Sequence, residues 1–401
     1  MTYDVIIVGG GIVGLATAFR WLEAHPKSRL LLLEKEDRLA AHQTGNNSGV
    51  LHSGLYYKPG SAKAKLSVGG LQQMIAFCRE HRIAFEQCGK VVVATTPAEL
   101  PRLETLWERG NANGLQGLRR LNPAEIRKIE PHAAGLAAIH VPQEGIVDYP
   151  AVCEKLGDLI RQRGGEIRLG ARMLNIAPEG GQQIVTSTGG RFRGKFVITC
   201  GGLHADRLVR AGGQKPGAQI IPFRGEYYKL RPERAHLVRH LIYPVPDPKF
   251  PFLGVHFTRL IHGGIEAGPN AVLAFAREGY KWTDLNLRDL AGSLSFPGLW
   301  RFLAKYPSMC GYEIRRSISR REFCRSLQKL VPEIRTEDLE PGGAGVRAQA
   351  MTADGKLVED FDFVEVPGQL HVINAPSPAA TASLAIGSTI LHRVFNPGIS
   401  V

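Results

Sequence analysis

The stretch that most limits what this chain can fold into is its first, Tyr3-Asp4-Val5-Ile6-Ile7-Val8-Gly9-Gly10-Gly11-Ile12-Val13-Gly14-Leu15-Ala16. An apolar run of strand type ends in Gly9, and Gly9-x-Gly11-x-x-Gly14 opens into a helix predicted over Ile12 to Leu22. A second run, Leu30-Leu31-Leu32-Leu33, ends in Glu34, within the span of one βαβ unit. Gly9 permits the tight turn, Gly11 lacks the side chain that would keep a pyrophosphate off the backbone, and Gly14 lets helix and strand pack closely. The helix start adds unpaired N–H groups and a positive dipole end. Glu34 stands where an acid accepts hydrogen bonds from a ribose diol. A dinucleotide site follows, with Gly9, Gly11, Ile12, Val13, Gly14, Glu34 and Lys35 as candidates; the alternative is a tight turn with no ligand.

At 401 residues the chain is too long for one simple core and should hold about two domains. Its 44% hydrophobic content excludes a disordered chain. A formal net charge of +13 implies attraction to nucleic acid, an acidic lipid surface or a dianionic substrate, and no nucleic-acid module is recognisable. Cys78, Cys88, Cys153, Cys200, Cys310 and Cys324 have no ligand-like spacing; they read as buried thiols of a reducing compartment, and no metal is expected. Only Met1 and Thr2 precede the first strand, and no window approaches the roughly 18 apolar residues of a spanning helix. The expectation is a protein of the cytoplasm, or peripheral on the cytoplasmic face of the inner membrane.

Residues 41–57 lack any period and alternate glycine with hydroxyls and amides, as a loop wrapping a phosphate chain would; Thr44, Gly45, Ser48, Gly49 and Val50 join the cofactor candidates. Helices are predicted over Lys63 to Arg82, Pro97 to Asn113, behind Asn122-Pro123, and Ala151 to Arg163. Strands are predicted at Val91 to Ala94, Ile167 to Ile176, Ile184 to Thr188 and Phe192 to Thr199. The last of these ends in Cys200-Gly201-Gly202, a second buried strand closing on glycines. With the first stretch it argues for an extended dinucleotide such as FAD, touched by Met173, Cys200 and Gly201. Ile220 to Tyr280 reads as an antiparallel sheet covering a pocket, with His256 ending one strand. Leu294 to Tyr306 is apolar and aromatic with basic residues inside it, and Arg315, Arg316, Arg320, Arg321 and Arg325 follow. That suits either a lipid interface or packed helices with a solvated basic face. Near the end, a strand Leu370 to Asn374 feeds a helix whose first turn is proline and small residues, leaving the N–H groups around Pro378, Ala379, Ala380 and Thr381 open to an electron-rich oxygen.

These pieces resemble the D-amino-acid-oxidase-like FAD oxidoreductases and, among them, the L-2-hydroxyglutarate dehydrogenase/oxidase family. The match is carried by residues 42–60 (HQTGNNSGVLHSGLYYKPG), Pro222-Phe223-Arg224-Gly225-Glu226-Tyr227, Pro251-Phe252-Leu253-Gly254-Val255-His256, residues 268–275 (GPNAVLAF), Ala344-Gly345-Val346-Arg347-Ala348-Gln349-Ala350 and Asn374-Ala375-Pro376-Ser377-Pro378-Ala379-Ala380-Thr381. One departure is Asn46, where the family pattern has histidine. The resemblance implies an α/β protein: a discontinuous Rossmann-like FAD-binding part (1–80, 145–215, 340–401) and an α+β substrate part on a mixed or antiparallel sheet (81–144, 216–339), with 285–329 a candidate membrane-facing insertion. It also implies oxidation of L-2-hydroxyglutarate to 2-oxoglutarate, the electrons passing from FAD to a quinone or to oxygen.

Such a reaction needs a base for the hydroxyl proton and a clamp for each carboxylate. His256 is favoured as the base and His52 as an orienting partner. Arg347 is the first choice for the carboxylate beside the hydroxyl, Arg224 or Lys63 for the distal one. Tyr57, Tyr227 and Tyr228 are candidate hydroxyl donors, and Asn374 is a further substrate contact. Two other readings are an oxidase of an amino acid or glycerol 3-phosphate on the same fold, and a flavin-binding redox sensor docking on membrane.

Overall fold

The structure, a computed structural model, describes residues 1–248 and 253–396, so Pro251 and Phe252 of the quoted motif lie outside the described residues. Strand Thr2–Val8 lies inside an eight-stranded sheet, parallel to Leu30–Leu33 on one side and Gly190–Thr199 on the other. Val5 to Val8 and Leu30 to Leu33 are buried, as expected of parallel strands covered on both faces. Leucine is no strong strand former; burial decides here. Glu166–Arg168 extends the sheet beyond Leu30–Leu33, and Gln369–Asn374 joins Gly190–Thr199 in parallel. The register sets Val8 level with Leu33 and with Thr199. Gly9, Glu34 and Cys200 therefore leave the sheet together, at the carboxyl ends where ligands of open α/β sheets bind. Helices Ile12–Ala24, Ala62–Glu80, Tyr149–Gln162 and Ser383–Phe395 share one apolar core with this sheet.

The second sheet has nine strands among the described residues. Its longest pair, Gln219–Leu230 and Leu339–Met351, runs antiparallel with Phe223 opposite Arg347. Lys90–Ala94 runs parallel to Leu241–Pro244 and antiparallel to Ala137–Val141, so the sheet is mixed rather than purely antiparallel. Val91 and Val93 face one core while Val92 and Ala94 face another, which is why this run is apolar without alternation. A three-stranded sheet of Val50–Leu51, Gly145–Val147 and Phe85–Glu86 lies beside the two.

Several elements differ from expectation. Residues 340–351, assigned to the FAD-binding part, form most of a strand of the second sheet. The predicted strand Ile167 to Ile176 is two strands, Glu166–Arg168 and Met173–Glu179, on opposite flanks of the first sheet. Helix Tyr149–Gln162 starts two residues early because the Asp148 side chain caps it, accepting from Ala151 N–H. His256 begins its strand, His256–Arg259, rather than ending it. The last helix begins at Ser383, and residues 377–382 form turns instead of its first turn. Cys78, Cys153 and Cys324 are buried, whereas Cys88, Cys200 and Cys310 are half-buried.

Residues 285–329 form the helices Leu287–Leu294, Pro297–Lys305, Pro307–Ile318 and Arg320–Gln328. Leu299, Phe302 and Met309 pack with Ile221 and Phe223, and Arg316 turns inward to pair with Glu313. Part of the apolar and basic content is thus internal, while Trp300 and Ile318 remain 56% and 75% exposed. Among the described residues no helix is long and apolar enough to cross a membrane.

Candidate active site

The level strand ends open onto a cavity of about 1540 Å³ lined by residues of both large sheets. Pockets for drug-sized ligands are roughly 300–1,000 Å³, so this one has room for a dinucleotide together with a small substrate. At its floor Gly9 has φ of +117°, and a Cβ there would stand 2.3 Å from Cys200 O. A Cβ on Gly14 would stand 2.0 Å from Gly9 O. These two glycines are needed by the protein's own backbone. Gly11 is different: a Cβ there meets Thr44 Oγ1 at 3.5 Å, an ordinary contact, and otherwise would project beside the cavity it lines. Its bareness serves a ligand. Gly11 caps the helix Ile12–Ala24 without a side chain, and Ile12 N–H donates to Thr44 Oγ1 at 3.1 Å. The residues present therefore fit the pyrophosphate of FAD.

Glu34 is buried at the cavity edge and accepts from Gly10 N–H at 2.5 Å and Glu36 N–H at 2.9 Å. A carboxylate so held keeps lone pairs for a ribose diol. Lys35 also lines the cavity, but its Nζ is engaged by Glu36 and by Glu278 at 2.6 Å. Burial works against the Lys35 charge, and those two carboxylates outweigh it, holding the ammonium above its ordinary value. Glu36, His42 and Glu278 bring metal-ligand atoms near one another, with Lys35 Nζ in contact with all three side chains.

The substrate candidates gather where the second sheet meets the cavity. His256, buried, stacks on Tyr243 with ring centroids 3.9 Å apart. Its Nδ1 lies 3.0 Å from Gly254 O, which accepts a hydrogen bond and so places the ring proton on Nδ1 and the lone pair on Nε2. Burial, with the nearby His52, Lys90 and Arg347, pushes His256 down to about 3, so the ring is neutral at pH 7. Arg347 donates to Asn270 O at 3.1 Å, and burial lowers it from the usual guanidinium range. Tyr227 is raised to about 12 by burial and stays a hydroxyl donor. A Cβ on Gly345, two residues before Arg347, would stand 2.6 Å from Asn46 O, so the arginine strand and the phosphate loop touch through backbone.

His52, Lys63, Tyr227, His256 and Arg347 all line the cavity, as do Gly9, Gly11, Ile12, Val13, Glu34, Thr44, Ser48, Val50, Met173, Cys200, Gly201 and residues 378–381. Gly14, within helix Ile12–Ala24, and Gly45 and Gly49, in the loop that follows Glu34, do not line it. Tyr57 sits behind Lys63, whose Nζ is 5.5 Å from its ring centroid. Arg224 corrects the expectation of a carboxylate clamp. Gly225 and Tyr227 face the cavity, so alternation along the strand turns Arg224 and Glu226 away from it. Arg224 is spent on Glu226 Oε1 at 3.0 and 3.1 Å, on Lys281 O, and on the face of Trp282. Asn374 likewise faces away; its Nδ2 donates to Val358 O and Asp360 O.

Sequence reading missed Lys90, Glu144 and Tyr243. Lys90 and Glu144 are fully buried and 2.5 Å apart, and Glu144 lies 3.7 Å from His52 Nδ1. The available signal was a lysine opening the fully apolar strand Val91-Val92-Val93, where an unpaired charge could not remain.

Residues 4–393 match the model of the FAD dependent oxidoreductase family, DAO. L-2-Hydroxyglutarate dehydrogenase of Indibacter alkaliphilus is 50% identical over 391 residues, covering 97% of this chain and 98% of that protein. The enzyme of that name from Escherichia coli (strain K12) is 46% identical, with 98% and 93% covered, and the mitochondrial one of Homo sapiens 44%, with 98% and 89% covered. Among solved structures, dithionite-reduced L-alpha-glycerophosphate oxidase from Mycoplasma pneumoniae with FAD bound superposes with a TM-score of 0.80 at 21% identity, covering 98% of this chain and 94% of that one. Glycine oxidase from Geobacillus kaustophilus gives 0.74 at 19% identity, covering 100% and 96%. With the glycine cradle, the level strand ends and the shared cavity, these matches place the chain in the DAO family of FAD-dependent oxidoreductases, beside its L-2-hydroxyglutarate dehydrogenase relatives.

Proposed function

We propose that this chain oxidises L-2-hydroxyglutarate to 2-oxoglutarate. The observation that carries the reading is a half-buried arginine and a neutral histidine in the same cavity as the glycine cradle, in a chain 50% identical to an L-2-hydroxyglutarate dehydrogenase. When bound, FAD supplies the capacity to take up two electrons. Arg347 grips the carboxylate beside the hydroxyl, a charge-assisted contact of about 1.5–3 kcal/mol. His256 Nε2 takes the hydroxyl proton, and the negative charges of a bound dianion raise its basicity. Lys63, near the start of helix Ala62–Glu80, holds the distal carboxylate, and Tyr227 donates to a substrate oxygen. His52 orients the substrate from the phosphate loop. The electrons go on to a quinone or oxygen, and the outer helices with Trp300, Ile318, Arg301, Lys305 and Arg321 seat the protein on an acidic membrane face.

Anaerobic addition of candidate substrates to the purified yellow protein tests this. L-2-Hydroxyglutarate bleaches the flavin absorbance; its D-enantiomer, amino acids and glycerol 3-phosphate leave it. Bleaching by one of the latter with none by L-2-hydroxyglutarate overturns the assignment.

A further inference from the structure

Behind the cavity wall lies an ion pair that no substrate reaches. Lys90 opens strand Lys90–Ala94 with its Nζ 2.5 Å from Glu144 Oε2, and both side chains are fully buried. Neither residue lines the cavity, yet each touches something that does. The other oxygen of Glu144 accepts from Ser53 Oγ at 2.7 Å and Ser53 N–H at 3.2 Å, pinning the residue after His52, and Oε2 is 3.7 Å from His52 Nδ1. Lys90 Nζ lies 4.8 Å from the ring centroid of Tyr243, the ring on which His256 stacks, and 4.5 Å from that of Tyr56. Two charges in a dry interior cost several kcal/mol of desolvation unless paired. An apolar pair of equal volume would fill this space more cheaply, which argues for a role in the site.

We propose that Lys90 and Glu144 are positioning residues for the two cavity histidines, Glu144 fixing the His52 loop and Lys90 backing the Tyr243 ring beneath His256, so that the balanced pair sets the field in which the substrate proton moves. The charged and titratable groups facing His256 are His52, Lys90, Arg347 and Tyr243; those facing Glu144 are Lys90, His52, Tyr56, Tyr57 and Tyr243. The pair deepens the oxidation reading and rests on it for the assignment of roles. It implies opposite responses to loss of either member. Without Lys90, an unbalanced carboxylate favours a charged His256; without Glu144, an unbalanced ammonium disfavours it.

The test compares K90M, E144Q and the double variant as flavin-loaded proteins, reading kcat/KM for L-2-hydroxyglutarate against pH. The acid limb moves to higher pH in K90M and to lower pH in E144Q, by about one unit each, the effect of one charge at this range, and returns to the wild-type position in the double variant. KM stays within about twofold while kcat falls, because neither residue meets the substrate. Coincident limbs in all three overturn the proposal. Where a single variant does not fold, E144D, which keeps both charges and withdraws the carboxylate from His52, decides: a kcat lower by about tenfold with a displaced limb supports it, and wild-type values overturn it. Should L-2-hydroxyglutarate fail to bleach the flavin, the oxidation reading falls separately. The histidine signals of the loaded protein followed by NMR then read the same opposite displacements, and their absence overturns the pair's role.

Discussion

Arg347 shows how one side chain's worth depends on its setting. It is half-buried on the cavity wall and donates to Asn270 O; burial lowers it while Tyr227 and Glu313 act the other way. Replacing it by alanine is expected to leave the yellow flavin bound and to lower kcat/KM at least about a hundredfold, through one lost charged contact and the misorientation that follows; absorbance at purification and steady-state kinetics check both halves. Arg224 is the instructive contrast. Both arginines sit on long strands of one sheet, and only strand parity separates them: Gly225 and Tyr227 line the cavity and Arg224 does not. That parity was readable in Pro222-Phe223-Arg224-Gly225-Glu226-Tyr227 once Tyr227 was taken as facing the substrate, whereas the partner Trp282, far along the chain, was not. Lys90 and Glu144 were hidden for the same reason. The lysine ahead of an apolar strand was a local sign, but a partner 54 residues away leaves none.

At the scale of elements, the cradle was the most legible part because its chemistry is local. Strand, turn, helix and acid follow within 34 residues; Gly9 and Gly14 each have a backbone neighbour that explains them, while Gly11 faces the cavity. Gly11→Val is expected to abolish FAD retention, since its side chain would enter the cavity and not the core; a variant purified with full flavin content would count against the phosphate cradle. Boundaries were less legible. Glycine and proline mark turns, yet Ser377 to Ala382 turn before the last helix starts, and a capping Asp148 moved another start forward. The strand Gln369–Asn374 carries its own titration. His371 is buried between Thr199 Oγ1 at 2.9 Å and Gln369 Oε1 at 3.0 Å, and burial lowers it to about 4. The unfolded chain binds this proton below about pH 6.5 and the folded chain does not, so stability falls as pH drops from there toward 4. Thermal unfolding between pH 7 and 4 should show a shallower decline in His371→Gln than in the wild type.

Across the whole molecule, the parallel centre of the first sheet was present in the sequence as the apolar runs Val5 to Val8, Leu30 to Leu33 and Phe196 to Ile198, which lead into glycine or acid. The second was not, because its two longest strands, Gln219–Leu230 and Leu339–Met351, are far apart in sequence. Their pairing is why residues 340–351 belong to the second sheet. The helical segment from residue 285 splits between core and surface, and its outer face makes a prediction at this scale. The protein should co-sediment with vesicles rich in acidic lipid, and W300E/I318E should reduce that binding without loss of flavin; wild-type protein staying wholly in the supernatant counts against membrane seating. The contact of Gly345 with Asn46 O carries a wider consequence. The arm that offers the arginine and the loop that embraces the nucleotide abut as bare main chain, with no adjustable group to take up slack. Under the proposed oxidation, the spacing between the substrate clamp and the cofactor loop follows from peptide planes, and evolution toward a new substrate in this scaffold is expected to recolour the walls while leaving that contact untouched.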